Sequence, residues 1–213
     1  VQLLQGQHPD EFAKAADTLA HTFGALACRS RIAGPGVITL EFTRADQLAG
    51  LVPALDVADD GPDLAAVSFG RREDGAAMTA KVRGSHTLIA GATGAGKGSV
   101  LWSLIRGLGP LVRDRLVELW VLDPKGGMEL SAGEPLFARF AYATTDAMAT
   151  LLEDAVAEMR ARAGRLRGKV RLHTPTTDEP LIVVVIDELA ALTAYAADRD
   201  EKKRISSALS LLL

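Results

Sequence analysis

The sequence predicts an α/β chain in which a parallel sheet flanked by helices follows a small α+β unit. Three observations carry that expectation. From Leu64 onward, short apolar runs alternate with helical stretches, as strands joined by crossover helices do. One of those runs leads directly into a glycine-rich loop that ends on a lysine and opens a helix. Before them, the first sixty residues hold one helical stretch and two β-prone runs around a Gly-Pro-Gly turn.

In chain order, residues 10–26 read as an amphipathic helix. Pro9 and Asp10 supply its start, and Phe12, Ala16, Leu19 and Phe23 share one face at helical spacing. Residues 27–32 and 37–42 flank Gly34-Pro35-Gly36 as a hairpin. Residues 51–63 place Asp56, Asp59, Asp60 and Asp63 among Pro53, Gly61 and Pro62 and read as an acidic linker. The expected division is therefore 1–63 and 64–213. In the second part, strands are expected at 66–69, 87–90, 117–122 and 181–186. Helices are expected at 97–108, 145–163 and 188–197, with a last one from 201 to 213. That last stretch ends in Ser210-Leu211-Leu212-Leu213. An exposed apolar helix end is an odd terminus, so the chain is expected to be a fragment of a longer protein.

Composition narrows the function classes. Hydrophobic residues make up 48% of the 213, enough for a sizeable core and against disorder. Aromatics are only 5%, which argues against stacking platforms for single-stranded nucleic acid. With 24 basic and 27 acidic residues there is no overall basic field, so any DNA contact must be a local patch. The single cysteine, Cys28, excludes an internal disulfide and any multi-cysteine zinc module, and reads as an apolar filler. His8, His21, His86 and His173 show no metal-ligand spacing. No signal peptide is expected, and the longest apolar run, 181–186, falls far short of the about 20 residues a membrane span needs.

The strongest local signal is Gly91-Ala92-Thr93-Gly94-Ala95-Gly96-Lys97, after the apolar run Thr87-Leu88-Ile89-Ala90. Such a loop wraps a phosphate because its glycines allow backbone N–H groups to point inward. The helix that follows adds the positive end of its dipole, and Lys97 a point charge for the β- and γ-phosphates of ATP. The motif departs from its usual form at one place. Gly98 stands where a Ser or Thr hydroxyl would ligate Mg²⁺, and Ser99 comes one position later. One helical step turns a side chain by roughly 100°, so Ser99 is not a simple replacement. Nucleotide binding with weakened Mg²⁺ dependence is the expectation.

Leu181-Ile182-Val183-Val184-Val185-Ile186-Asp187-Glu188 is a fully apolar strand that ends in two carboxylates. It reads as buried on both faces, with its C-terminal end where α/β sheets place ligands. Asp187 would hold the Mg²⁺ water shell and Glu188 would polarise the attacking water, which makes the chain a hydrolase. Asp123-Pro124-Lys125-Gly126-Gly127 ends the strand between these two motifs. Asp123 and Lys125 are expected to face the same crevice, or to form a plain Pro-Gly turn with solvated charges.

Together these motifs resemble the motor domain of the FtsK/SpoIIIE-like DNA-pumping ATPases. The resemblance rests on Ser85-His86-Thr87-Leu88-Ile89-Ala90-Gly91, Asp123-Pro124-Lys125, Glu158-Met159 and Val184-Val185-Ile186-Asp187-Glu188-Leu189-Ala190. It covers roughly residues 68–213, with weaker similarity over 10–45. Gly94-Ala95-Gly96-Lys97-Gly98-Ser99, preceded by Phe69-Gly70-Arg71-Arg72, looks most like the actinobacterial plasmid-transfer branch. The resemblance implies a RecA-like P-loop NTPase core with ATP and Mg²⁺ as cofactors; on the residues themselves, either the Mg²⁺ is held with one more water or Ser99 reaches it through a distorted first turn. It implies a homo-oligomeric ring, hexameric in this family, with duplex DNA in its pore. A membrane anchor is implied outside this chain, with the motor on the cytoplasmic face of the cell membrane. It further implies one more strand, following the Asp-Glu strand in sequence, inserted between that strand and the phosphate-loop strand. The chain ends before it, so the core is expected to be incomplete at its C-terminus.

Arg160, Arg162, Arg165, Arg167, Lys169 and Arg171 form a basic run without an acidic residue. A solvated helix end, DNA contact and an intersubunit role all fit it, and Arg165, Arg167 and Arg171 are the candidates for the latter two. The expected function is ATP-driven translocation of double-stranded DNA, as in conjugative plasmid transfer. The alternatives are a type VII protein-secretion ATPase, a chromosome-segregating division translocase and a non-hydrolysing nucleotide-binding scaffold.

Overall fold

The computed structural model describes residues 1–57, 59, 61–193 and 198–213. Ala58 and Asp60 of the expected linker, and the expected helical residues 194–197, lie outside the described residues. The chain divides into two compact units. The first comprises Val1–Pro53 and Arg71–Met78, and the second Ala54–Gly70 and Thr79–Leu213.

In the first unit the expected single helix is two short ones, α1 (Pro9–Lys14) and α2 (Ala16–Thr22), interrupted at Ala15, whose φ and ψ are −87° and 3°. A capping box at His8 and Glu11 starts α1. Only Ala20 of the two helices is fully buried, and Phe23, just past the end of α2, is exposed and tilted against Phe42. The hairpin forms as expected. β1 (Ala27–Gly34) pairs antiparallel with β2 (Val37–Thr43), the turn placing Gly36 at φ 68°. Cys28 is buried and unpaired, as a filler should be.

β3 (Val67–Arg71) and β4 (Ala77–Ala80) form a two-stranded sheet. Beyond them the second unit is a layered α/β fold. α3 (Lys97–Arg113) is followed by β5 (Val117–Leu122), a 3-10 turn (Ser131–Leu136), β6 (Arg139–Ala141), α4 (Thr145–Leu166), β7 (Leu181–Ile186), α5 (Leu189–Thr193) and α6 (Arg199–Leu212). The sheet order is β6-β5-β7 and both pairings are parallel, with Val117 opposite Leu181 and Leu122 opposite Ile186.

Alternation along β5 builds two cores from one strand. Val117, Leu119 and Val121 meet Ile105, Leu108 and Leu111 of α3, with Val185 of β7 on the same face. Trp120 and Leu122 point the other way, toward Leu151, Leu152 and Val156 of α4 and Ile205, Ala208 and Leu209 of α6. Gly107 lets α3 lie close to β3, because a Cβ there would sit 3.0 Å from Val67 Cγ1 and 3.1 Å from the Ser68 carbonyl. Arg204 of α6 clamps onto α4 through Asp146 and Glu153.

Two expectations are corrected. Residues 87–90 form no strand, and Leu88 is 79% exposed. A strand exists only by its ladder, and among the described residues no strand lies beside this segment. For the same reason β7 is not buried on both faces over its length. Among the described residues it pairs with β5 alone, and within β7 only Val185 is fully buried.

Candidate functional site

The phosphate loop has the backbone the sequence calls for. Gly94 and Gly96 take φ of 80° and 84°, left-handed values that side chains rarely adopt. Gly96 is also the N-cap of α3 and supplies no side-chain hydrogen bond, whereas α4 and α6 are capped by Thr144 and Asp198. The first-turn N–H groups of α3 are thus free of side-chain caps at the end where the helix dipole is positive. Lys97 Nζ folds back over the loop and donates to the carbonyls of Gly91 at 2.9 Å and Ala92 at 3.0 Å. Ala95 N donates to Ala92 O, closing the turn through Thr93, and Ser99 is exposed.

β7 delivers Asp187 and Glu188 at its C-terminal end, beside the end of β5. The Asp187 N–H donates to the Leu122 carbonyl, which fixes the backbone there. Lys125, from the loop after β5, reaches both carboxylates: Nζ is 3.5 Å from Asp187 Oδ2 and 3.4 Å from Glu188 Oε2. The Asp187 charge is the main cause that holds the Lys125 ammonium above its ordinary 10.5, against partial desolvation. At 3.5 Å the Asp187 contact is an ion pair rather than a hydrogen bond. Oδ2 is buried without a hydrogen-bond partner.

Asp123 is fully buried and acts on its own loop. Its Oδ1 accepts from Lys125 N at 3.1 Å, and its Oδ2 from Glu129 N and Leu130 N, both at 3.0 Å. The expected crevice residue is therefore a loop organiser, and it is Lys125 that enters the crevice. Gly126 and Gly127, at φ 76° and 81°, let the loop turn between the two. The same hydrogen bonds carry Glu129 onto the phosphate-loop helix. A Cβ added to Gly98 would overlap Glu129 Oε1 and lie 3.1 Å from its Cδ. The sequence reading gives Glu129 no role. The signal is a pairing: a carboxylate six residues after Asp123, and a glycine where the phosphate-loop hydroxyl is missing.

Asp187 fits a magnesium ion on its own evidence, since among the described residues its buried Oδ2 lacks a hydrogen bond and is balanced by Lys125 alone. Among the described residues no three His, Cys, Asp or Glu side chains form a cage. That suits an ion held by one or two carboxylates, with substrate phosphates and water completing its shell.

The basic run is split. Arg162 holds Glu158 at 2.7 Å and donates to the Pro180 carbonyl at 2.6 Å. Arg165 pairs with Glu158 at 3.4 Å and Glu179 at 2.7 Å, so both tie the return segment before β7 to α4. Arg160, Arg167, Lys169 and Arg171 are exposed.

A model described as the FtsK/SpoIIIE family matches residues 58–175, more than half of the chain. The chain belongs to the FtsK/SpoIIIE family. Among curated proteins it is similar to the transfer protein TraSA of Streptomyces ambofaciens, 30% identical over 223 residues, covering 96% of this chain and 51% of that protein. It is also similar to the DNA translocase FtsK of Listeria monocytogenes, 27% identical over 222 residues, covering 93% of this chain and 29% of that one. The chain thus spans about half or less of the length of these relatives. Among solved structures it resembles the pCW3 conjugation coupling protein TcpA, in monomer form with ATPgS. The TM-score is 0.63 at 20% identity, over 97% of this chain and 60% of that chain, a likeness of fold. This FtsK/SpoIIIE chain therefore has the mixed α/β fold with a parallel sheet that its motifs require. Among its described residues no helix is long and apolar enough to cross a membrane.

Proposed function

We propose that this chain is the ATP-hydrolysing motor segment of a protein that pumps double-stranded DNA in conjugative plasmid transfer. The observation that carries the reading is the convergence of three elements on one crevice. Lys125 spans Asp187 and Glu188 at the ends of β5 and β7, and Glu129 of the same loop lies against Gly98 on the phosphate-loop helix. The similarity to a plasmid-transfer protein and to a DNA translocase supports the cargo.

The chemistry follows from the residues. The N–H groups of residues 91–98, other than that of Ala95, cradle the ATP phosphates, and Lys97 exchanges two neutral carbonyls for the β- and γ-phosphate oxygens, a stronger charge-assisted contact. Glu188 aligns a water in line with the γ-phosphorus and takes its proton as the new P–O bond forms and the bond to ADP breaks. Magnesium, when bound, would supply positive charge against the charge developing on the phosphates, and Asp187 is the residue that would hold it through water. Lys125 holds the two carboxylates close together in the meantime. Motion comes from the loops that sense the γ-phosphate, acting on the DNA backbone in a homo-oligomeric ring, hexameric in our reading. The ring is held at the cytoplasmic face of the membrane by an anchor outside this chain. DNA contact within the basic run falls to Arg167 and Arg171, because Arg165 is engaged by two carboxylates.

The test is ATP hydrolysis by the full-length protein with and without linear duplex DNA, using Glu188→Ala as the blank. Several-fold stimulation by duplex is expected. Hydrolysis that exceeds the blank but ignores duplex would refute the DNA reading and favour a polypeptide cargo. The relative named a DNA translocase favours one second reading, chromosome segregation, which shares this chemistry.

A further inference from the structure

The phosphate loop lacks the hydroxyl that usually reaches Mg²⁺, and the structure shows what stands in that space. A Cβ on Gly98 would overlap Oε1 of Glu129 and come within 3.1 Å of its Cδ. The glutamate carboxylate therefore fills the volume into which a Ser or Thr side chain at position 98 would project. We infer that Glu129 replaces the missing hydroxyl as the oxygen donor from the phosphate-loop side of the magnesium site, and that Gly98 is glycine to admit it. The inference rests on the reading of the crevice as an ATP site.

Three observations make this a placement rather than a chance rotamer of an exposed side chain. The Glu129 N–H is bonded to Asp123 Oδ2, and that of Leu130, the fully buried next residue, to the same oxygen, so the backbone on both sides is fixed. The loop that carries Glu129 also carries Lys125, which reaches Asp187 and Glu188, so one short segment joins the two halves of the site. Ser99, the alternative donor, is exposed and one helical step away from the required direction.

The electrostatics then give a signature. A carboxylate beside the ATP phosphates is repulsive without a divalent cation and attractive through one. Removing it should leave Mg²⁺-free nucleotide affinity unchanged or tighter, and should weaken the affinity gained on adding Mg²⁺. A role confined to loop structure would weaken both. The expectation also reverses the sequence-based one: Mg²⁺ dependence is retained here, through a different residue.

The experiment measures the affinity of the full-length protein for a fluorescent ATP analogue, in EDTA and in Mg²⁺, for wild type, Glu129→Ala, Glu129→Gln and Gly98→Ser/Glu129→Ala. Manganese bound with the nucleotide is followed separately by electron paramagnetic resonance. For both single variants, EDTA affinity is expected within about threefold of wild type or tighter. The Mg²⁺-dependent gain is expected to fall about tenfold or more, with a changed manganese spectrum. In the double variant the new serine occupies the vacated space, and the gain is expected to return toward wild type. Unchanged Mg²⁺ dependence in Glu129→Ala overturns the inference, as does equal loss in both conditions or a double variant that recovers nothing. Wild type that binds no nucleotide in either condition would instead refute the ATP-site reading itself.

Discussion

Asp123 offers the sharpest test of how the site is built, because its role in the structure differs from its apparent role in the sequence. Its carboxylate is fully buried and receives three backbone N–H groups. Asp123→Ala removes all three acceptors at once. The bonds from Lys125 and Glu129 are part-buried, and each loss costs about 1 kcal/mol net. Leu130 is fully buried, and its orphaned N–H adds about 1–3 kcal/mol. The expected destabilisation is therefore about 3–5 kcal/mol, a large share of a typical domain's 5–15 kcal/mol. Asp123→Asn can keep its carbonyl oxygen on the Glu129 and Leu130 side and turn its amide toward the Lys125 N–H, which loses that one bond, so about 1–2 kcal/mol is expected. Urea unfolding of the three proteins gives the differences, and amide exchange at Leu130 locates them. An Asp123→Ala protein within about 0.5 kcal/mol of wild type, with Leu130 exchange unchanged, would refute the reasoning.

Other outcomes follow from the same structure. Ile205→Ala, in the core between α4 and α6, should cost about 2–5 kcal/mol in urea unfolding, since the residue is fully buried. Glu188→Gln should retain nucleotide affinity while hydrolysis drops at least about 100-fold, whereas Lys97→Ala should lose the affinity itself; equilibrium binding beside steady-state turnover separates the two. Arg162 holds the Glu158 carboxyl below its ordinary 4.5, chiefly by a hydrogen bond. The unfolded chain then takes up this proton first as pH falls. The stabilisation is complete above 4.5 and is lost as pH drops through the lower folded value. Thermal unfolding of wild type and Glu158→Gln should differ near neutral pH and converge in acid; a constant gap would contradict the pairing.

What the sequence disclosed followed the strength of the local signal. β5 and β7 lie at the expected residues because a short apolar run, unbroken and largely β-branched in β7 and interrupted only by Glu118 in β5, that ends on an aspartate fits little else in an α/β pattern. The phosphate loop was legible because three glycines and a lysine answer to one backbone geometry. β6, with three residues, carries no such signal and is defined only by its ladder to β5. Residues 87–90 have strand composition but no partner among the described residues, and pairing is a tertiary property. The break at Ala15 escaped the pattern because helical periodicity continues across it. Asp123 and Glu129 were hidden differently. A buried aspartate that serves its own loop and an exposed glutamate look like any crevice acid and any surface acid until the loop is folded. Only then does Gly98 read as space left for a neighbour.

The central claim, that this crevice drives movement along duplex DNA, is most directly tested by displacement of a third strand. A triplex-forming oligonucleotide bound to linear duplex is incubated with the full-length protein and ATP. The account predicts release of the oligonucleotide by wild type with ATP, and none with Glu188→Gln or with a non-hydrolysable analogue. ATP turnover at full rate with the triplex left intact would contradict it.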